Sequence, residues 1–297
     1  MPSRVEGRAP FSSPQTWPTI ALLHATYHRP GGVGPLREAW LERADRADLV
    51  DYIVAMDCDD PAVAETTGWR RVIGPADGTV SAVRNWNAAA AVSSADLLVV
   101  LADDLFPEQG WDTCLWQVIG GWDPRSIAYA VKITDSPSPS DTLLRHPVVS
   151  RRFYDSFGLF APQMRGVYCD DEITRRAYWQ ALILDGRSMA FEHAHPTLTG
   201  GFETDSQRMI NRASEYEYGA RAYEDLWPKW RRRVRIRIVP AYNWLVGRER
   251  LARLVALTRA TADVGLWGVK AATWHVRRIV GSFPAKAPEP PASERSS

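Results

Sequence analysis

Four groups of polar residues carry the side chains that could do chemistry, and each one follows or opens an ordered-looking stretch. Ala102-Asp103-Asp104 comes directly after the apolar run Leu97–Leu101. Neighbouring carboxylates repel one another, and at the end of a buried strand they are most easily tolerated beside a hard divalent cation. Helix capping is the plainer alternative for Asp103 or Asp104. Cys169-Asp170-Asp171-Glu172 sets three acids at the start of a helical pattern. A helix N-terminus favours negative charge, but three acids exceed what a cap requires. A carboxylate held there suits removal of a proton from an incoming hydroxyl. Arg29 and Asp57 follow the first and second apolar runs. The first is a phosphate-binding type, the second an acceptor for a base N–H or a ribose hydroxyl. Asp57 and Asp59 serve equally well to end a strand and begin a turn. His193-Ala194-His195 offers two imidazoles on opposite sides of an extended segment, so one of them would face a metal readily.

The elements that must position these groups follow a strand–helix–strand rhythm. Residues 19–26, 51–56, 71–73 and 97–101 read as strands, and 36–47 and 81–92 as helices. Leu97–Leu101 is a continuous apolar run of the kind found in buried parallel strands. Further on, 126–133 and 188–192 read as strands, 136–140 as a loop, and 172–184 and 206–225 as helices. The pattern predicts an open α/β sheet, a fold in which ligands bind at the carboxyl ends of the strands.

Composition narrows the classes further. The chain has 297 residues, 45% hydrophobic and 24% charged, enough apolar material for a sizeable core. Intrinsic disorder and a disulfide-stapled scaffold are excluded on that ground. Cys58, Cys114 and Cys169 lie far apart with no CxxC pair, and read as reduced thiols. No stretch approaches the roughly 18 apolar residues of a membrane span, and no apolar run follows the first basic residues, so the expected compartment is the cytoplasm. Residues 231–281 hold twelve Lys and Arg against Glu249 and Asp263, which leaves the body before them acidic. The division expected is a flexible lead (1–18), a catalytic domain (19–225), a basic helical extension rich in Trp and Arg (226–283) and a disordered tail (284–297). Basic amphipathic helices with Trp suit an anionic membrane surface, here the inner face. Nucleic acid is a weaker candidate, and packing on the acidic body or on a second copy is the plain alternative.

Taken together, ALLHATYHRP, VAMDCDD, SAVRNWNAAAAVSSADLLVVLADDLFPEQGWD, YCDDEITRRA and FEHAHP resemble the GT-A glycosyltransferases, in particular the family-2-like enzymes of bacteria and phages. The resemblance covers residues 19 to about 205. It implies a GT-A, Rossmann-like sheet flanked by helices and a nucleotide-diphospho-sugar donor. It implies nucleoside contacts from Asp57, Thr26, Tyr27 and Arg29, with Asn85 and Asp103 also on the donor side. Asp104 would hold Mn2+ or Mg2+ at the metal end of the DxD motif, joined by His193 or His195. Asp170 would be the catalytic base of an inverting transfer to an acceptor hydroxyl, with Asp171 or Glu172 orienting the acceptor. The first carboxylate of the DxD is missing, because Ala102 stands there. That departure keeps alive a non-catalytic sugar-nucleotide or glycan binder on the same scaffold. A nucleotidyltransferase would want a Lys-bearing Gly-rich loop after the first strand, and a dehydrogenase a GxGxxG turn; the chain has neither.

Overall fold

The computed structural model describes residues 16–29, 31–137, 141–194, 200, 203–238 and 250–265, the last without 253, 260 and 264. Strands β1 (Ile20–Ala25), β2 (Val50–Asp57), β3 (Arg71–Gly74) and β4 (Leu97–Leu101) run parallel. A short β5 (Leu105–Phe106) follows β4 outside the main sheet. β6 (Tyr129–Thr134) and β8 (Leu182–Ala190) are parallel to each other, and between β4 and β6 lies β7 (Val148–Ser150), antiparallel to both. The seven strands stand in the order β3-β2-β1-β4-β7-β6-β8.

Side chains alternate along each strand, so the central strands feed two cores. Leu22, Val54 and Val99 enter one, with Trp40 from α1 (Val33–Glu42) and Trp111 from α4 (Trp111–Ile119). A short α2 (Ala62–Glu65) links β2 to β3. Leu23, Ile53 and Val100 enter the other core, covered by α3 (Ala82–Ala91), α5 (Arg151–Phe157) and α6 (Cys169–Gln180). Helix α3 starts where the Ser81 hydroxyl accepts from the Arg84 backbone N–H at 3.1 Å. Its Trp86 indole donates to the Leu101 carbonyl at 2.8 Å, tying the helix to the end of β4.

The structure departs from the sequence-based elements in three places. The helix expected over 172–184 stops at Gln180, Ala181 is extended, and Leu182–Leu184 pair with Tyr129–Val131. An apolar run buried on both faces satisfies a helix or a strand pattern equally, which is why the boundary shifted. The helix expected over 206–225 is two, α7 (Asp205–Ile210) and α8 (Ala213–Leu226), broken where Arg212 adopts an extended conformation. Finally, α4, α5 and β7 have no counterpart in the sequence reading. After α8 the chain makes a one-turn α9 (Lys229–Arg232). Trp227 and Val234 are buried in the second core, and Ala252 and Ala256 in the first. Among the described residues no helix is long and apolar enough to cross a membrane. Trp244, Trp267 and Trp274 lie outside the described residues.

Helix α8 lies against the loop that leads into α6, and Gly219 is what permits the approach. A Cβ there would sit 2.5 Å from the Val167 carbonyl oxygen and 3.1 Å from the Tyr168 ring. A backbone atom cannot step aside as a flexible side chain would. Gly219→Ala is therefore expected to destabilise the fold by about 1–3 kcal/mol, read as a lower denaturation midpoint with an unchanged slope. An unchanged midpoint would show that α8 does not dock as described.

Candidate active site

The loops at the carboxyl ends of β1 and β4, together with the N-terminal turns of α3 and α6, enclose a cavity of about 720 Å³. Thr26, Tyr27 and Arg29 reach its wall from the end of β1, and Asn85 from α3. Asp103 and Asp104 reach it from the end of β4, Asp170 and Asp171 from α6. Residues separated by well over a hundred positions in the chain thus share one enclosure. Ser206, Gln207 and Ile210 of α7 and Tyr216 and Tyr223 of α8 also line it.

How Asp104 meets a histidine follows from the small second sheet. β5 pairs antiparallel with β9 (Glu192–His193), placing Leu105 opposite His193. The Ala194 N–H then donates to the Asp104 carbonyl at 2.8 Å. His193 Nε2 lies 3.5 Å from Asp104 Oδ1, and its Nδ1 lies 3.2 Å from the Asp135 carbonyl oxygen. Burial opposes protonation of this imidazole, but the Asp104 carboxylate outweighs it and raises the pKa. His195 lies outside the described residues. Among the described residues no group of three or more His, Cys, Asp or Glu converges on one point. The carboxylate fits a divalent cation that takes its other oxygens from a diphosphate and water, as Mg2+ does at phosphate sites, and the imidazole adds a nitrogen donor.

Asp103 is held from behind. Its Oδ1 lies 2.9 Å from His24 Nε2, and His24 Nδ1 lies 2.6 Å from the Tyr52 hydroxyl. Neither His24 nor Tyr52 is apparent from the sequence pattern, where both sit inside apolar strands. A histidine at an inward strand position is the signal that would have found them.

The acid pair opens α6. Tyr168, which precedes the helix, is held at φ 68°, a left-handed conformation that a tyrosine adopts only when its surroundings impose it. The Asp171 N–H donates to Asp170 Oδ1 at 3.0 Å. Burial raises the Asp170 pKa, opposed by the Arg145 guanidinium. Burial and the neighbouring Asp170 charge push Asp171 up to about 7. The two carboxyls therefore titrate as a pair, both raised by burial.

Beneath them lies a charged cluster that the sequence reading did not pick out. Lys132, Asp135 and His146 are all buried; Lys132 Nζ lies 3.0 Å from Asp135 and 3.3 Å from Asp141. Asp135 Oδ2 lies 3.1 Å from His146 Nδ1. Burial alone would lift the Asp135 pKa, but His146 and Lys132 hold it well below the usual carboxylate range. Arg145 pairs with Asp141 and faces the cavity. The His146 and His193 rings meet edge to face at 4.8 Å, joining this cluster to the Asp104 site.

Two of the candidate residues do not reach the cavity wall, and their expected roles are corrected accordingly. Both Asp57 oxygens lie 3.0 Å from the Arg84 Nη2, and Asn85 Nδ2 lies 3.3 Å from one of them. Asp57 thus anchors the start of α3 from behind instead of presenting its carboxylate to a ligand. Glu172 turns away and makes a two-pronged pair with Arg176 one helical turn on, at 3.0 and 2.7 Å. Both had the right residue type in the right stretch, and side-chain direction decided against them.

No family model matches the chain, and no curated protein does. Solved structures do. Residues 1–349 of S. aureus TarS in complex with UDP-GlcNAc superpose with a TM-score of 0.51 at 13% identity, over 80% of this chain and 73% of that one. A mannosyltransferase from Pyrobaculum calidifontis, PcManGT, solved with GDP-Man and Mn2+, gives 0.48 at 13% identity over 93% and 85%. The fold of this chain is that of the GT-A glycosyltransferases.

Proposed function

We propose that the protein transfers a sugar, a hexosyl group, from a nucleotide-diphosphate donor to an acceptor hydroxyl with inversion at the anomeric carbon. The observation that carries this reading is the cavity at the strand ends, whose lining includes Asp104, His193, Asp170 and Asp171. The fold shared with TarS, whose solved complex holds UDP-GlcNAc, supports a sugar nucleotide as donor.

Asp104 and His193 would hold Mn2+ or Mg2+, which as a Lewis acid neutralises the leaving diphosphate. Thr26, Tyr27 and Arg29 line the part of the cavity next to the β1 loop and would contact the nucleoside, with Asn85 and Asp103 completing the donor wall. Asp170 accepts the proton of the acceptor hydroxyl as its oxygen attacks the anomeric carbon and the bond to the diphosphate breaks. Asp171 orients the acceptor, and Arg145 offsets the charge that the pair acquires. A carboxylate whose pKa is raised by burial is a better proton acceptor than a solvent-exposed one, which suits Asp170 to this work.

The deciding experiment is release of nucleoside diphosphate from a panel of UDP- and GDP-sugars with Mn2+. Tight binding without release, in the presence of mono- and oligosaccharide acceptors, would leave a binding protein on this scaffold. With an active donor in hand, Asp170→Asn is expected to lower kcat about 10²–10⁴-fold while donor affinity stays within twofold or so. Near-normal turnover would remove Asp170 as the base. Chelation with EDTA should abolish activity, and Asp104→Asn should raise the half-saturating Mn2+ concentration about tenfold or more; identical metal curves would exclude the Asp104 assignment.

The acid pair also makes a stability prediction. A carboxyl whose pKa is raised in the folded state stabilises the fold fully below its unfolded value, about 4, and that contribution is lost as pH rises through about 7. The melting temperature of the wild type should therefore fall between pH 4 and 7 relative to that of Asp171→Asn. Over the same window kcat/KM should rise. Parallel melting curves for the two proteins would show that Asp171 is not held protonated by its surroundings.

A further inference from the structure

In β1 the inward positions that feed the first core read Ile20, Leu22 and His24, and the histidine is fully buried. An imidazole in an apolar layer is costly unless both nitrogens are engaged. Both are. Nε2 lies 2.9 Å from Asp103 Oδ1 and Nδ1 lies 2.6 Å from the Tyr52 hydroxyl, which is itself buried between β1 and the Trp69 ring. An ionised carboxylate only accepts, so the His24 proton belongs on Nε2, and Nδ1 then accepts from Tyr52. The result is a directed chain, tyrosine to histidine to carboxylate, that ends at the cavity wall.

This chain answers the oddity at Ala102. The stretch lacks the first acid of a DxD motif, and Asp103 stands at the intervening position. Asp103 lines the cavity with a side chain only 18% exposed, and its carboxylate is directed by His24. From this we infer that His24 is a positioning residue: with Tyr52 fixing its tautomer, it locks one oxygen of Asp103 and leaves the other as a fixed acceptor for a hydroxyl of the sugar-nucleotide donor. The inference rests on the donor reading above. It adds two residues, His24 and Tyr52, that never touch the ligand.

The test uses the full-length protein and calorimetric titration with UDP, GDP, ADP and CDP, each with Mn2+. For the nucleotide that the wild type binds best, His24→Phe should weaken binding about 10–100-fold, as loss of an orienting partner typically does. Tyr52→Phe should weaken it less, and His24→Gln, which keeps an N–H near the Nε2 position, should recover most of the loss. In an Asp103→Ala background, His24→Phe and Tyr52→Phe should cost nothing more, because residues that act through one partner are not additive. Losses that add in that background, or wild-type affinity in both Phe variants, would overturn the relay and leave the donor reading standing. Failure of the wild type to bind any of the four nucleotides would remove the donor reading itself, and the relay with it. Should His24→Phe fail to fold, Tyr52→Phe carries the cycle, since it deletes a single oxygen. Independently, imidazole ¹⁵N spectra should place the His24 proton on Nε2, with that preference loosened in Tyr52→Phe; a proton on Nδ1 contradicts the proposed direction of the chain.

Discussion

The structure depends on keeping a crowd of acids together at one edge of a sheet. Asp103, Asp104, Asp170 and Asp171 line the same cavity, with Asp135 and Asp141 just behind it. Like charges so close disfavour the folded chain unless each is neutralised, hydrogen-bonded or left protonated. Each has a different solution. Asp103 has His24, Asp104 has His193, Asp135 is enclosed by Lys132 and His146, and Asp141 is paired with Arg145. Asp170 and Asp171 have no cation of their own at hydrogen-bond distance among the described residues. Burial and mutual repulsion make them the pair whose protonation is most easily changed. The groups best suited to move a proton are thus the ones left least compensated.

The strand order explains how so much charge reaches one place. β1 and β4 are neighbours in the middle of the sheet, although seventy or more residues separate them in the chain, so the loops after them emerge side by side. β7 enters antiparallel between β4 and β6, and the segment leading into it supplies Arg145 and His146 from the same edge. The β5–β9 pair then folds the end of β8 back over Asp104. Were β7 parallel to its neighbours, the segment leading into it, with Arg145 and His146, would lie at the opposite edge.

Much of this was legible in the sequence, for identifiable reasons. Leu97–Leu101 announced its own strand because an unbroken apolar run of five fits a buried parallel strand, and the acids after it had to lie at the ligand-binding edge. Asp170 and Asp171 were legible because three acids exceed the needs of a helix start. Asp57 and Glu172 were not separable from them by type or spacing. Only their arginine partners, Arg84 reaching both Asp57 oxygens through one nitrogen and Arg176 gripping Glu172 with a two-pronged fork, set them apart from the acids that line the cavity. His24 and the Lys132–Asp135–His146 cluster were hidden for the opposite reason. His24 and Lys132 sit inside strands whose apolar neighbours dominate the pattern, and the Asp103 partner of His24 is 79 residues away. Asp135 and His146 lie in the connection between two strands, where polar residues are ordinary.

The basic region bears on the site through α6. This helix carries Asp170 and Asp171 in its first turn, where the helix dipole favours their ionised form against the effect of burial. Its far end is closed by Arg259, which donates to the Ala181 carbonyl at 3.0 Å and to that of Tyr178. Along its flank, Arg175 donates to the carbonyls of Arg231 at 3.2 Å and Val234 at 2.6 Å, while the Arg231 guanidinium lies over the Trp179 ring. Arg232 and Arg237 are paired with Glu224 and Asp263 at 2.9 and 3.1 Å. The described arginines after residue 230 named here thus bind carbonyls, aromatic faces and carboxylates of their own chain. Arg259 and Arg231 hold the helix whose other end presents the acid pair, so the part of the sequence that looks most separable from the α/β body helps to fix the position of one wall of its cavity.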